Sequence, residues 1–441
     1  MRFSSFLQML RRFAAETPDA PAFLTEAHGE VQTHSYAAFC GAVEARASEL
    51  RADESTCLGV LCNGSLSCVT EIFAAVEAGK QVVLLNEDAS PELVQAADID
   101  ALWGDAELVD ELSSALTGGA ADGKGKLLFF TSGTTAKTKA VVLTEQSLCA
   151  SAYNGGALLP LQPDDVLLCM LPLDHVFGFV CGLLWGLSCG ACVALGRGAR
   201  HYFDDCAFFR PTALSAVPLL LGFLLQKDLL GSTLRLVLIG AGDCPPQIPT
   251  ALKAKGIRVS FGYGLTETSS GVALSLGDDP YAMTVCPDDT VTLAEDGEIL
   301  IRADTCMMLG YYKDETASKA VLQGGVLHTG DIGSFDENGL LHIRGRKKEI
   351  LVLRDGTKIF LPDYEKALEP ALQGRDFAVI EQNGTPVLAV SSSETEREAL
   401  TAALEPLMRT LPLGQRLRDI RFVSGPLPRT ATGKIKRWAI L

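Results

Sequence analysis

Short apolar runs alternate with segments of helical periodicity along the first half of the chain. The runs are residues 57–62, 81–86, 127–131, 166–171, 191–195 and 234–239. Between runs, residues 66–78 and 218–230 repeat their apolar side chains with the period of a helix. Uniformly apolar runs of this length are typical of parallel strands that helices cover on both faces. The alternation therefore predicts an α/β fold in which parallel sheets are flanked by helices.

The pattern changes after residue 295 to one that is typical of hairpins. Residues 298–302 have the composition of a strand, and two further short strands flank a turn at residues 336–339. A chain of 441 residues also exceeds the roughly 250–300 residues that one core usually supports. We expect a large N-terminal domain, residues 1–345, and a small mobile α+β domain, residues 346–441.

The net charge argues against polyanionic partners. The chain has 38 Lys+Arg against 54 Asp+Glu, and its formal charge of -16 repels nucleic acid and anionic membranes at long range. A small anion such as ATP can still bind where backbone amides, a few basic side chains and Mg²⁺ reverse the local sign. We expect no nucleic-acid partner.

Thirteen cysteines, most of them within apolar stretches, are typical of reduced thiols in the cytoplasm. Cys189 and Cys192 form a CxxC pair, but no second pair follows in zinc-site spacing, so packing is favoured over metal or redox chemistry. Residues 176–196 carry no charge and are about as long as a membrane span, yet several glycines interrupt them. A buried helix followed by a buried strand is favoured there, and we expect a cytoplasmic protein without a transmembrane segment.

A polar run follows the apolar strand at residues 127–131. From residue 131 to residue 139 it reads Thr-Ser-Gly-Thr-Thr-Ala-Lys-Thr-Lys, which leaves backbone amides accessible and adds positive charge without bulk. Such a loop is suited to bind the β- and γ-phosphates of ATP. The candidate residues are Thr131, Ser132, Gly133, Thr134, Thr135 and Lys139. The spacing is not that of a Walker A loop, and the alternative is a polar surface loop between a strand and a helix.

Five further motifs follow this loop in order. They are Leu-Pro-Leu-Asp-His at 171–175, Tyr-Gly-Leu-Thr-Glu-Thr at 263–268, Thr-Gly-Asp at 329–331, Gly-Arg-Lys-Lys at 345–348 and Pro-Arg-Thr-Ala-Thr-Gly-Lys at 428–434. With them, the chain resembles the adenylate-forming superfamily of acyl-CoA synthetases, carrier-loading adenylation domains and luciferases. The resemblance implies ATP-dependent activation of a carboxylic acid to an acyl-adenylate with release of pyrophosphate. A thiol, usually that of CoA or of a phosphopantetheine arm, then takes the acyl group.

The resemblance also assigns roles to the motif at residues 263–268. Glu267 would hold Mg²⁺, Thr266 would donate to the α-phosphate, and Tyr263 would stack against adenine. Gly264 and Gly242 would complete the nucleotide site. Without the resemblance, Glu267 would be a surface carboxylate and Tyr263 a core aromatic.

Three later motifs would supply the ribose contacts, the hinge and the catalytic lysine. Asp331 would accept both ribose hydroxyls, and Arg346 would add a second ribose contact. Lys348 matches the hinge about which the small domain swings after adenylation. Lys434 would bridge the substrate carboxylate and the α-phosphate. A turn cap for Asp331 and a solvated tail for Lys434 are the alternatives.

The segment after residue 174 bears on which carboxylic acid the protein would activate. His175 matches the residue that gates the acid and thiol sites, although a lone histidine is often structural. Val176 stands where amino-acid-activating members have an aspartate, so an ammonium group would lack a partner. With the turn at residues 240–242, the expected pocket takes a fatty or other apolar acid. Its candidate walls are Val176, Phe177, Phe179, Val217 and Phe261.

The leading hypothesis is an AMP-forming acyl-CoA synthetase that uses ATP, Mg²⁺ and CoA. Ala136 and Thr138 replace the family's usual Gly and Pro in the phosphate loop, and Ala140 replaces a further common Gly, which predicts weaker loop closure. The alternatives are an enzyme that loads a carrier protein and a weakly active or non-catalytic nucleotide-binding relative. A membrane transporter ranks last.

Overall fold

The computed structural model describes residues 2–117, 125–131, 139–242, 244–352, 358–429 and 435–440. In these ranges the α-helices, in chain order, are α1 Phe6–Glu16, α2 Tyr36–Ala52, α3 Leu66–Glu77, α4 Pro91–Ala96, α5 Ala106–Ser113, α6 Glu145–Leu158, α7 Trp185–Ser188, α8 Tyr202–Phe209, α9 Pro218–Gln226, α10 Gln247–Ala254, α11 Glu315–Val321, α12 Leu361–Leu372 and α13 Arg397–Thr410.

The strands, in the same order, are β1 Pro21–Ala27, β2 Glu30–Ser35, β3 Cys57–Leu61, β4 Gln81–Leu85, β5 Ala101–Trp103, β6 Lys126–Thr131, β7 Lys139–Thr144, β8 Val166–Cys169, β9 Cys192–Leu195, β10 Ala213–Ala216, β11 Leu236–Ile239, β12 Arg258–Leu265, β13 Ser270–Ser275, β14 Met283–Val285, β15 Thr290–Leu293, β16 Glu298–Arg302, β17 Gly310–Tyr311, β18 Leu322–Gln323, β19 Val326–Phe335, β20 Leu341–Arg346, β21 Ile350–Val352, β22 Lys358–Phe360, β23 Phe377–Gln382, β24 Thr385–Ser391 and β25 Asp419–Val423.

Two large sheets form the body of the molecule. One has the order β15-β16-β19-β20-β14-β13-β12-β11-β10-β8-β9-β1-β2, and the other has the order β17-β7-β6-β4-β3-β5. The six apolar runs form β3, β4, β6, β8, β9 and β11, and β5, β10 and β12 join them in the parallel parts β9-β8-β10-β11-β12 and β6-β4-β3-β5. Helices such as α3 and α6 bury one face against these sheets. The predicted α/β fold with helix-flanked parallel sheets is confirmed.

The uncharged stretch at residues 176–196 folds as a buried helical segment and a strand. A π-helical segment, Gly178–Leu184, continues into α7, and the chain then enters β9. A π-helical stretch is rare, and such stretches are often found at functional sites. Within the described ranges, no helix is long and apolar enough to cross a membrane.

Aromatic rings hold the N-terminal helix against the core. Phe179, which is 0% exposed, has its ring centroid 5.6 Å from that of Phe129, 5.9 Å from that of Phe6 and 6.5 Å from that of Phe73. Offset and edge contacts at these distances stabilise a core beyond simple burial. Phe179 thus belongs to the packing of the core, which corrects its expected role as a wall of the acid pocket.

The last hundred residues bury side chains of their own. Leu368 of α12, Leu388 of β24 and Leu404 of α13 belong to one apolar cluster that lies between residues 351 and 420. The antiparallel pair β21–β22 and the sheet β23-β24-β25 frame this cluster. The division into residues 1–345 and 346–441 stays a prediction.

Substitution of Phe179 by alanine should be costly. Removal of a fully buried phenylalanine leaves a cavity and typically lowers the free energy of unfolding by about 3–5 kcal/mol. Phe203→Ala is the control, because that side chain is 62% exposed on α8 and should change the free energy by no more than about 0.5 kcal/mol. Urea unfolding measures both, and equal small effects would contradict this account of the core.

Candidate active site

The two ends of the predicted phosphate loop face each other across a hairpin. Thr131 is the last residue of β6, Lys139 is the first of β7, and the two are directly paired in antiparallel register. The Thr131 hydroxyl also donates to the carbonyl oxygen of Lys139 over 3.4 Å. The loop therefore connects two antiparallel strands, and not a strand and a helix as in the alternative of a polar surface loop. Ser132, Gly133, Thr134 and Thr135, with Ala136 and Thr138, lie outside the described residues.

Glu267 lies where the sheet changes from parallel to antiparallel pairing. β12 is parallel to β11 and antiparallel to β13, and the register of the second pair shifts between Tyr263 and Gly264. A Cβ atom on Gly264 would overlap the carbonyl oxygen of Ser270, so the close approach of the two strands requires glycine. The chain then makes a single 3₁₀ turn, Thr266–Thr268, which carries Glu267.

Strained backbone follows Glu267 immediately. Ser269 and Ser270 have φ values of 53° and 106°, which residues other than glycine rarely adopt. Hydrogen bonds hold this conformation: the Ser269 hydroxyl donates to the carbonyl oxygen of Cys306 over 2.8 Å, and the Thr268 hydroxyl to that of Ser270 over 3.0 Å. The turn that carries Glu267 is fixed by its neighbours on both sides.

The Glu267 carboxylate is bound by a phenol that the sequence analysis did not single out. The Tyr311 hydroxyl donates to Glu267 Oε1 over 2.7 Å, and Lys139 Nζ lies 4.4 Å from the centroid of the Tyr311 ring. Burial and the Glu267 carboxylate raise the pKa of Tyr311 well above its ordinary value, so the phenol keeps its proton and remains a donor. Lys139 and Glu267 were assigned from separate motifs, and both contact the side chain of Tyr311.

Asp331 contacts two other residues that were predicted to bind the nucleotide, Tyr263 and Arg346. Its carboxylate is 4% exposed, accepts a hydrogen bond from the Tyr263 hydroxyl over 2.7 Å and pairs with Arg346 Nε at 2.7 Å. Burial and Asp331 raise the pKa of Tyr263, which therefore stays protonated. Asp331 lies inside β19, directly opposite Arg346 of β20, so the alternative of a turn cap does not describe its position.

The charged segment after β20 is anchored on one side. Lys347 Nζ lies 2.6 Å from Asp296 Oδ2 and 3.0 Å from Glu298 Oε2. Lys348 follows in the same 3₁₀ turn and is exposed. Its role as a hinge stays a prediction, and Lys434 lies outside the described residues.

The residues expected to face the acid are partly brought together. His175 is exposed and Val176 is buried. The Phe177 ring packs against Gly240 so closely that a Cβ atom there would lie 2.8 Å from it. Gly240, Ala241 and Gly242 follow β11 directly, in the connection that leads to α10, and their role in the acid pocket stays a prediction. Ala241 has a φ of 63°, a left-handed conformation that glycine adopts more easily.

Sequence comparison finds relatives that align with most of the chain. The family described as "AMP-binding enzyme" matches residues 126–312. The probable CoA ligase CCL9 of Humulus lupulus is 28% identical over 84% of this chain and 72% of its own length. The oxalate–CoA ligase of Arabidopsis thaliana is 30% identical over 71% of this chain and 66% of its own length, slightly under two thirds.

Solved structures share the whole fold. The o-succinylbenzoate CoA synthetase of Bacillus subtilis, in complex with ATP and magnesium ion, superimposes with a TM-score of 0.80 at 24% identity, covering 98% of both chains. The anthranilate CoA ligase AuaEII, in complex with anthranoyl-AMP, gives a TM-score of 0.81 at 21% identity, covering 100% of this chain and 96% of that chain.

The glycine pair at the β12–β13 bulge offers a matched test. Gly264→Ala should lower the free energy of unfolding by about 2 kcal/mol or more, because the new methyl group has no room and the backbone must shift. Gly271→Ala, directly opposite in the ladder, meets no atom within 4 Å and should be tolerated. Denaturant unfolding of both variants measures the difference, and similar stability of the two would contradict the described bulge.

Proposed function

We propose that the chain is an AMP-forming acid–CoA ligase of the adenylate-forming superfamily of acyl-CoA synthetases. Its cofactors are ATP, Mg²⁺ and CoA. The observation that supports the proposal most is the pair of phenol-bound carboxylates: Glu267 follows β12, where parallel pairing gives way to antiparallel pairing, and Asp331 of β19 is bound by Tyr263 of β12. A site for ATP and Mg²⁺ needs an oxygen ligand for the metal and a group that accepts hydrogen bonds from the ribose hydroxyls.

The residues around Glu267 fit a magnesium ion. Mg²⁺ is usually held by one or two carboxylates together with phosphate oxygens. Oε1 of Glu267 accepts from Tyr311, and among the described residues no hydrogen bond reaches Oε2, the oxygen we assign to the cation. Bound there, Mg²⁺ would neutralise phosphate charge. Lys139, at the end of the phosphate loop and over the face of the Tyr311 ring, would attract the same phosphates.

Asp331 would hold the ribose. Tyr263 donates to its Oδ2 and Arg346 pairs with its Oδ1, and these contacts orient the carboxylate before ATP binds. A carboxylate oriented in this way can accept hydrogen bonds from the ribose hydroxyls. Tyr263 would thus have two tasks: its ring stacks against adenine, and its hydroxyl orients Asp331.

In the reaction proposed, one carboxylate oxygen of the acid attacks the α-phosphorus of ATP and pyrophosphate leaves. Thr266 would donate to the α-phosphate, and Lys434 would bridge the attacking carboxylate and that phosphate as negative charge accumulates. The thiolate sulfur of CoA then attacks the acyl carbon and AMP leaves. His175 is proposed to gate the passage between the acid and the thiol.

We propose an acid with an uncharged body. Val176, Phe177 and Phe261 are apolar, and the first two lie in the segment that packs on Gly240. The named relatives act on different acids, among them oxalate, 2-succinylbenzoate and indoleacetate. A fatty acid is therefore one candidate beside aromatic acids.

Pyrophosphate release from ATP across a panel of fatty, aromatic and dicarboxylic acids tests the proposal, with and without CoA. We expect acid-dependent release and a CoA thioester when CoA is present. No release with any acid would contradict the enzymatic function. Release that yields a thioester only with a carrier protein would favour carrier loading.

Lys434→Ala should separate chemistry from binding. Loss of a cation that stabilises the transition state should lower the adenylation rate by about 10²–10³-fold, whereas nucleotide affinity should be largely retained. Lys436→Ala, two residues along in the same basic segment, is the control and should remain active. If Lys434→Ala lost nucleotide affinity in the same proportion as rate, the lysine would be structural.

A further inference from the structure

Tyr311 lies between two groups of opposite charge that the proposed function requires. From this placement we infer that Tyr311 is a positioning residue that orients Glu267 toward the metal and keeps Lys139 apart from it. The inference rests on the proposed function, because it concerns the same ATP and Mg²⁺ site. It assigns a role to a residue outside the motifs that carry the family resemblance.

The backbone of Tyr311 is held on two sides. Gly310 and Tyr311 form β17 and pair with Val142 and Val141 of β7, the strand that leaves the phosphate loop. The Tyr311 N–H donates to the Ser318 hydroxyl over 2.8 Å. Its side chain is mostly buried, and the residue is 9% exposed. The position of Tyr311 is thus fixed relative to β7, the strand that begins at Lys139.

The phenol holds Glu267 by its hydroxyl. A hydrogen bond to Oε1 restricts the rotation of the carboxylate, and the neighbouring Met308 N–H donates to the Glu267 carbonyl oxygen over 2.8 Å. Both the backbone and the side chain of Glu267 are therefore anchored by residues 308–311. Partners of metal ligands act in this way: they orient the ligand and raise the affinity for the ion.

The ring separates Glu267 from Lys139. Lys139 Nζ lies over the ring face, where a cation is attracted by the π-electrons, while the ring edge carries the hydroxyl that binds Glu267. A direct ion pair would neutralise both groups and leave neither for its ligand. Among the described residues no ion pair joins Lys139 and Glu267, and each contacts Tyr311 instead. Tyr311 thus keeps an anion for the metal beside a cation for the phosphates.

Tyr311→Phe removes the hydroxyl and keeps the ring, so it tests the orientation of Glu267. The measurement is calorimetric binding of α,β-methylene-ATP at a series of Mg²⁺ concentrations, with a metal-free series in EDTA. We expect the Mg²⁺ concentration for half-maximal enhancement of binding to rise about 10-fold or more. Metal-free nucleotide affinity should stay unchanged, and excess Mg²⁺ should restore kcat.

Tyr312→Phe is the matched control. It removes the same atom from the next residue, whose hydroxyl donates to Asp98 Oδ2 over 2.8 Å and has no contact with Glu267. We expect its Mg²⁺ dependence to equal that of the wild-type protein. Tyr311→Leu, which removes the ring as well, should also weaken metal-free nucleotide binding, because Lys139 can then pair with Glu267.

The outcomes separate this inference from the proposed function, since the binding measurement needs no acid. An unchanged Mg²⁺ dependence in Tyr311→Phe would overturn the inference, and so would equal shifts in both phenylalanine variants. A lowered thermal stability that excess Mg²⁺ does not offset would show that Tyr311 is only structural. A wild-type protein that binds Mg²⁺ and nucleotide but activates no acid would contradict the function and leave the role of Tyr311 intact.

Discussion

The antiparallel pairing of β12 with β13 determines where the rest of the site lies. β12 enters this pair from a parallel sheet, and the bulge at Gly264 lets the chain leave it in a tight 3₁₀ turn. Tyr263 on one side of the bulge binds Asp331, and Glu267 on the other side binds Tyr311. One strand end thus positions both the ribose side and the metal side of the proposed nucleotide site.

The placement of charged and neutral groups in the site follows from the negative charge of the chain. Under the proposed function, a chain with a formal charge of -16 must bind a polyphosphate and a carboxylate together, so positive charge has to be concentrated locally. The two site carboxylates are oriented by donors that carry no formal charge, the phenols of Tyr263 and Tyr311. The cations Lys139 and Arg346 lie beside these pairs, where a bound nucleotide would reach them.

Much of the fold was predictable, because buried parallel strands have a local signature. The apolar runs at residues 57–62 and 81–86 became β3 and β4 with nearly the predicted ends. Strand pairing is not local, and so the sequence did not reveal that the phosphate loop joins two antiparallel strands or that Asp331 lies within β19. Tyr311 was missed for the same reason: its partner, Glu267, is 44 positions away. The Gly-Tyr-Tyr run at 310–312 was the only local signal.

The central claim is that an acyl-adenylate forms, and oxygen transfer tests it most directly. The acid is labelled with ¹⁸O in both carboxylate oxygens and incubated with the protein, ATP, Mg²⁺ and CoA. Attack of a carboxylate oxygen on the α-phosphorus followed by thiol attack on the acyl carbon must leave one labelled oxygen in AMP. Mass spectrometry should therefore find AMP heavier by one ¹⁸O and pyrophosphate unlabelled. Thioester formation with unlabelled AMP, or with ADP and labelled phosphate, would contradict the account.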